Sequence, residues 1–593
     1  MKALRYLNKY FYKYRFQLLL GILFVILSNL FMPFQGKLVS IAVDLIVENL
    51  SIYSGFKGSI LQSDITSRVI FIVLICTVLI IVTTLIRGFF MFLMRQSIIV
   101  MSRKIEFDLK NEIFTHYQSL SQAFYTKNST GDLMARISED VSKVRMYIGP
   151  AIMYYTNLVA TFIIVIPTMF SIHTKLALWV LMPLPILSYT IFYVNNLINR
   201  KSDAIQKQLS VITGFAQETF SGMRVIKAFG AEKVFKEEFE SEANLYKKRN
   251  LQLAKLDAVF FPLMLFLTGL STIITISVGG FLVIHDEITI GNITEFVIYV
   301  NMLTWPVMSL GWTSSLVQRA AASQQRINEF LQTPAEIQNP TTETFNFTHQ
   351  VEFKKVSYRY PNKNHYALKN ISFTLQKGKT LAILGTTGSG KTTLVQLLLR
   401  VMDCNEGEIL IDSKPLHTIN IRDFTKNIGY APQDIFLFSD TIANNIAFGL
   451  MDDTNDKDEK IISAATNAAL AENIKTFKDG YQTIVGERGV TLSGGQKQRV
   501  SIARALIKNP EILVFDDCLS AVDTKTETEI LSNLEKIMHN KTAIIISHRV
   551  STVKNADYII VLDAGEIIEE GTHEKLMHVK GKYFELYENQ KHS

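Results

Sequence analysis

The octet Gly385-Thr386-Thr387-Gly388-Ser389-Gly390-Lys391-Thr392 spells GxxxxGK[ST], with an apolar strand-like run, Thr380–Leu384, before it and a helix-like run from Thr393 to Leu399 after it. Glycines here let the backbone curl until successive N–H groups point at phosphate oxygens, and the helix N-terminus adds partial positive charge. In such a loop Lys391 reaches the β- and γ-phosphates and the Thr392 hydroxyl can ligate Mg²⁺. A second apolar run, Ile512-Leu513-Val514-Phe515, ends in Asp516-Asp517. A carboxylate at the end of a parallel strand sits where open α/β sheets hold ligands, and Asp516 suits the Mg²⁺-organising role in phosphoryl transfer. Between the two lies Leu492-Ser493-Gly494-Gly495-Gln496, followed by the helical run Lys497–Leu506. Amides, a hydroxyl and a helix dipole again make a phosphate-reading surface. Two such loops for one nucleotide point to a composite site built between two copies of the domain.

These residues need a sheet to hold them, and residues 351–593 alternate short apolar strands with turns and helices, as an α/β domain does. The first 320 residues are a different material. Six stretches run without a charge: Phe16–Phe34, Val69–Ile86 (with the helix expected to continue to 93), Ala151–Ile172, Leu176–Ile198, Ala258–Ile284 and Phe296–Gln318. Crossing a hydrocarbon core of roughly 30 Å takes about 20 helical residues, so each is a candidate span. With 48% hydrophobic and 19% charged residues, the chain is neither disordered nor collagen-like. Cys76, Cys404 and Cys518 are too few and too scattered for a disulfide framework or a metal knuckle.

The net charge of +7 is largely a topology signal. Lys2, Arg5, Lys9, Lys13 and Arg15 precede the first stretch, and the segments after the second and fourth are rich in Lys and Arg. The loop at His285-Asp286-Glu287 carries neither, so the basic loops and both ends are expected in the cytoplasm, and nucleic-acid binding is not needed to explain the charge. The first stretch ends in Met32-Pro33-Phe34 without a small-x-small site and reads as retained. Arg95–Gly149 and Asn199–Lys255 interleave charged and apolar residues at helical spacing, as at Ile105, Leu109, Ile113 and Tyr117, and read as helical hairpins. A 25-residue arm would extend roughly 38 Å, and Gly131-Asp132 and Gly222 are expected breaks near the tips. The expected division is a membrane domain over 1–325, a linker over 326–350 (Thr333-Pro334, Asn339-Pro340) and a nucleotide-binding domain over 351–593.

Leu492–Gln496 resembles the signature motif of the ABC ATPases, and the resemblance extends over nearly the whole chain. It implies that Tyr360 stacks on adenine, that Gln433 in Tyr430-Ala431-Pro432-Gln433 is the Q-loop glutamine and a Mg²⁺ ligand, and that His548 in Ile546-Ser547-His548-Arg549 is the switch histidine. The P-loop set extends to Thr393. Ser520-Ala521-Val522-Asp523 matches the D-loop, and Val485-Gly486-Glu487-Arg488-Gly489 resembles the loop that touches transmembrane helices in exporters. Six spans followed by one ATPase domain resemble an ABC exporter half-transporter: an all-α six-helix transmembrane domain with long cytoplasmic arms, fused to an α/β P-loop domain. Phe124–Met134 and Phe215–Phe229 resemble the coupling tips. ATP and Mg²⁺ are the implied cofactors, a second half-transporter the implied partner, and a bacterial cytoplasmic membrane the implied home.

One residue departs from the family pattern. Active members mostly carry Glu after the strand-end Asp, as base for the attacking water, whereas this chain has Asp517, whose reach is about 1.5 Å less. The signature is intact, so the chain resembles the subunit of a heterodimeric multidrug exporter that lends a good signature to its partner and builds the degenerate site itself. A homodimer that tolerates Asp is the alternative. The spans contain no acid or base, and Arg87 is expected to snorkel or cap the arm. Walls of Phe, Leu, Ile, Met and Tyr, with Trp305 and Trp312, imply a lipophilic or amphipathic cargo, either a drug-like molecule or a lipid; an ATP-gated channel or regulatory subunit is the remaining reading.

Overall fold

The computed structural model describes residues 2–55, 61–339, 341–361, 363–450, 456–519 and 524–591. The expected D-loop, Ser520–Asp523, and the Arg488 side chain lie outside the described residues. The chain divides into two compact units, Met1–Gln118 with Ser129–Thr333, and Ser119–Asn128 with Pro334–Ser593.

In the first unit each charge-free stretch falls inside a longer helical run: Arg15–Asn49, Thr66–Ser119, Thr130–Ile172, Thr174–Ser221, Glu232–Ile284 and Ile290–Leu331. All six are long and apolar enough to cross a membrane. Their outward faces carry exposed Phe71, Leu74, Leu85, Phe89 and Phe266, a surface that needs hydrocarbon or another apolar surface against it. Inward, Val165, Leu176, Leu187, Phe296, Tyr299 and Leu303 share one core.

Beyond the apolar stretches the helical runs continue. Leu61–Ser119 is a single helix of 59 residues, about 88 Å long. Its first break falls at Ser119–Ser121, before the short helix Gln122–Lys127, rather than at Gly131-Asp132, which sit inside the helix after that, Thr130–Ala135. Ser129 fixes that start by accepting from the Asp132 N–H (3.3 Å). Gly222 does end a helix, and left-handed Gly230 (φ +61°) closes the short helix Met223–Phe229. Two π-helical turns interrupt the Thr130–Ile172 run, at Arg136–Asp140 and Tyr147–Ala151. The second contains Pro150, which has no N–H to keep the α-helical ladder in register. The first carries Asp140, 3% exposed, which accepts from Arg326 Nε (2.9 Å) and Ser323 Oγ (2.9 Å) on the sixth helix.

The expectation of no acid in the spans needs correcting. It covered only the charge-free stretches, and the Ile290–Leu331 helix begins before Phe296. Glu295, 1% exposed, accepts from the Tyr299 hydroxyl (2.7 Å) and lies 3.9 Å from Lys37 Nζ. The same helix start is capped by Asp44, which accepts from Gly291 N and from Thr289 Oγ1, each at 2.7 Å.

The second unit is built on β-strands: β1 (Gln350–Tyr358), β2 (Leu368–Gln376), β3 (Thr380–Gly385), β4 (Glu406–Ile411), β5 (Lys414–Pro415), β6 (Ile428–Ala431), β7 (Ile512–Asp516), β8 (Thr542–Ile546), β9 (Tyr558–Asp563) and β10 (Glu566–Gly571). An antiparallel sheet runs β2-β1-β4-β5, and a six-stranded sheet runs β10-β9-β3-β8-β7-β6, parallel except at β9–β10. Strands β7 and β8 are buried at every residue, as expected for central parallel strands covered on both faces. Alternate residues serve opposite cores: Leu513, Phe515 and Ile545 face one cluster, while Ile512, Val514 and Ile544 face the other. Because β8 lies between β3 and β7, the ends of those two flanking strands are about 10 Å apart.

Candidate nucleotide site

Three neighbouring strand ends supply the chemistry. β3 runs into the glycine-rich loop, β7 ends at Asp516, and β8 is followed by Ser547 and His548. Gly390 holds φ +104° where the loop becomes the helix Lys391–Leu398, and a Cβ there would come within 2.5 Å of the Ala367 carbonyl. Lys391 Nζ is wrapped by its own loop, donating to the carbonyls of Gly385 (2.9 Å) and Thr386 (2.8 Å). Burial lowers its pKa, against the opposing pull of Asp517 and Asp516. The loop is braced by the β9–β10 turn, where Gly565 N donates to the Ser389 carbonyl (3.2 Å).

Burial pushes the Asp516 carboxyl up to about 6. Its Oδ1 accepts weakly from the Thr392 hydroxyl (3.4 Å), while Oδ2 is buried without a hydrogen-bond partner among the described residues. An orphaned carboxylate oxygen beside a hydroxyl suits a hard cation, and Mg²⁺ fits this donor set. Asp517, next in the chain, adopts φ +45°, and its N–H donates to the Ile546 carbonyl (3.0 Å). Tyr360 lies at the rim, its hydroxyl 3.1 Å from Thr393 Oγ1 and its ring edge-on to Tyr358.

Tyr360, Thr387 to Thr393, Gln433, Asp516, Asp517 and His548 line one open cavity of about 540 Å³. Gly385 and Thr386 lie behind it, their carbonyls on Lys391. The Ser493–Gln496 loop does not line this cavity. Ser493 caps the helix Gly494–Leu506 in a reciprocal box: Gln496 N donates to Ser493 Oγ (3.3 Å), and Ser493 N donates to Gln496 Oε1 (2.9 Å). Gln496 is thus engaged with its own loop. His365, Tyr366, Ala564 and Gly565 also line the cavity. The Ala564-Gly565 pair between two strands signals a hairpin in the sequence, but nothing there shows that the turn docks on the phosphate loop.

The first unit holds a second cavity, of about 590 Å³. Five methionines line it (Met32, Met91, Met94, Met153 and Met302), with Tyr154 and Trp305. Arg87 also lines it, where it was expected to snorkel or cap the arm. Arg87 Nη1 lies 3.5 Å from Gln35 Oε1, and its Nε is buried without a hydrogen-bond partner among the described residues. Asn157 lines the same wall, its carbonyl oxygen committed to Asn29 Nδ2 (2.9 Å).

Two family models match the chain: "ABC transporter transmembrane region" over residues 18–307 and "ABC transporter" over residues 368–520. The probable multidrug resistance ABC transporter ATP-binding/permease protein YheI of Bacillus subtilis is 38% identical, over 81% of this chain and 82% of its own length. An ATP-dependent lipid A-core flippase of Syntrophus aciditrophicus is 34% identical, over 82% of this chain and 81% of its own. The solved structure of a bacterial Atm1-family ABC exporter with ATP bound superposes with a TM-score of 0.79 at 26% identity, covering 97% of this chain and 99% of that one.

Proposed function

The chain belongs to the ABC transporters, with a multi-span transmembrane region and an ATP-hydrolysing domain in one polypeptide, and on that premise we propose that it exports lipophilic or amphipathic molecules by alternating access. The cavity of the first unit carries the reading. Methionine is unbranched and polarisable, so a wall of five methionines, a tyrosine and a tryptophan accommodates many apolar shapes. The working form is a dimer of half-transporters in a bacterial cytoplasmic membrane, with both chain ends and the ATPase domain on the cytoplasmic side. The membrane domain spans 1–325, the linker 326–350 and the nucleotide-binding domain 351–593.

In the ATPase step Tyr360 stacks on the adenine of ATP, and the amides of Gly388–Thr393 cradle its phosphates. Lys391 exchanges its loop carbonyls for phosphate oxygens. Thr392, Gln433 and Asp516 hold Mg²⁺, which when bound neutralises phosphate charge. Asp517 accepts the proton of the water that attacks the γ-phosphorus, the bond to the bridging oxygen breaks, and His548 steadies the γ-phosphate. Ser493, Gly494, Gly495 and Gln496 complete the site on the partner chain. The short reach of Asp517 makes hydrolysis slow at this chain's own site, so a heterodimer with a Glu-bearing half-transporter is the favoured assembly.

ATP-dependent accumulation of a lipophilic fluorescent dye in inverted vesicles tests the export reading. Binding and hydrolysis of ATP without accumulation of either dye or labelled lipid would overturn it in favour of an ATP-gated channel or regulatory subunit. A lipid cargo is the second reading, favoured by Arg87 and Arg95 on the cavity wall, guanidinium groups placed to meet a polar headgroup. Movement of labelled lipid without dye accumulation would select it.

A further inference from the structure

The peptide that carries His548 is held from outside the cavity. Gln590, on the helix Lys582–Lys591, donates from Nε2 to the His548 carbonyl (2.6 Å) and accepts at Oε1 from Val550 N–H (2.7 Å). Only one orientation of the side-chain amide satisfies both partners, so the glutamine spans His548 and the first residue of the helix Val550–Val553. Arg549, between them, pairs through its guanidinium with Glu527, a 5% exposed carboxylate that also accepts from Thr552 Oγ1 (3.0 Å). The backbone around His548 is therefore pinned on both sides while its imidazole faces the nucleotide cavity.

The helix that delivers Gln590 is itself anchored. Glu569 on β10 accepts from the N–H groups of Lys582 and Tyr583. Tyr583 is fully buried, its hydroxyl 2.6 Å from His573 Nδ1. Gly581 makes room for this anchor, since a Cβ there would come within 2.0 Å of Glu569 Oε1. Tyr583 and Gln590 are seven residues apart, about two turns on the same helix face. Burying one sets the reach of the other.

We infer that Gln590 is a positioning residue for ATP hydrolysis: through its two hydrogen bonds the Lys582–Lys591 helix sets where His548 meets the γ-phosphate. This rests on the proposed role of His548. Two hydrogen bonds at the protein surface contribute modestly to stability, but a displacement of about 1 Å at a reacting centre costs up to about 100-fold in rate.

The test is a double-mutant cycle on the full chain, assembled with its partner if it has one, reading single-turnover ATP hydrolysis and ADP affinity. Gln590→Ala is expected to slow hydrolysis roughly tenfold with ADP affinity unchanged. Gln590→Glu keeps the acceptor for Val550 N–H but sets an oxygen against the His548 carbonyl, so it is expected to be as slow as the alanine variant. A merely structural role would be rescued by Glu. Because the effect runs through His548, His548→Ala with Gln590→Ala should be no slower than His548→Ala alone. Multiplying effects would overturn the inference, as would a wild-type rate in Gln590→Ala when His548→Ala is slow. A wild-type rate in His548→Ala would instead remove the role of His548, whatever Gln590 does. Hydrogen exchange at the Val550 amide should accelerate in Gln590→Ala at an unchanged melting temperature, and unchanged exchange would refute the clamp itself.

Discussion

At Asp517 backbone and chemistry ask for different side chains. Its φ of +45° lies in the left-handed region, which Asp and Asn enter more readily than Glu. The proposed catalytic role would favour the longer carboxylate. Asp517→Glu is expected to raise ATP hydrolysis at this site by about 10- to 100-fold, at a cost of no more than about 1 kcal/mol in stability. No acceleration while ATP still binds would count against reach as the limiting factor. Lys391→Ala should instead weaken nucleotide binding at least tenfold, readable by fluorescent-nucleotide titration. Asp516 adds a pH dependence. Its folded pKa of about 6 lies above the ordinary 3.8, so the folded protein holds this proton more tightly than the unfolded chain, and ionising it costs stability as pH rises through about 6. A bound cation needs the ionised form. The Mg²⁺-dependent part of ATP affinity should therefore be flat above about pH 7 and fall below about pH 6, and Asp516→Asn should abolish that slope. The strand, loop and helix around Lys391 were legible because they are contiguous in the sequence. Gln590 was not, because its partners lie 40 and 42 residues away and an exposed glutamine on a polar helix carries no pattern.

Among the helices of the first unit, Asp140 and Arg326 show what one buried carboxylate does to a pair of elements. Removing the guanidinium strands an almost fully buried charge. Arg326→Ala is expected to cost about 2 kcal/mol, less than for a fully buried pair because Arg326 is half exposed. The double variant with Asp140→Ala should melt closer to wild type than Arg326→Ala alone, and an equal or lower melting temperature would argue that the pair is not coupled. Hydropathy located every candidate span, since a long apolar run has few alternative readings. It could not show how far the helices continue past the apolar run, nor which way Arg87 turns. The first depends on helical periodicity among charged residues. The second depends on Gln35, 52 residues away. The break expected at Gly131-Asp132 falls instead just before Thr130, where Ser129 caps the helix that contains both residues.

For the whole molecule the separation of the Ser493 loop from the cavity that Lys391 lines is the consequential fact. If both loops act on one nucleotide, as proposed, a second copy or a homologous partner must supply the other loop. Reconstituted alone, the chain is expected to turn over ATP slowly. A Glu-bearing partner should restore turnover, and Ser493→Arg in this chain should abolish the restored rate while leaving ATP binding at Lys391 intact. Brisk turnover alone would make Asp517 an adequate base in a homodimer. The Leu61–Ser119 helix adds a mechanical consequence. Met94 lines the first-unit cavity, and the helix runs unbroken from there to Ser119, about 38 Å further on. It is a lever without a joint. A tilt of about 5° at the cavity wall would carry the far end by about 3 Å, so the length of the helix turns a small rotation at one end into a larger displacement at the other.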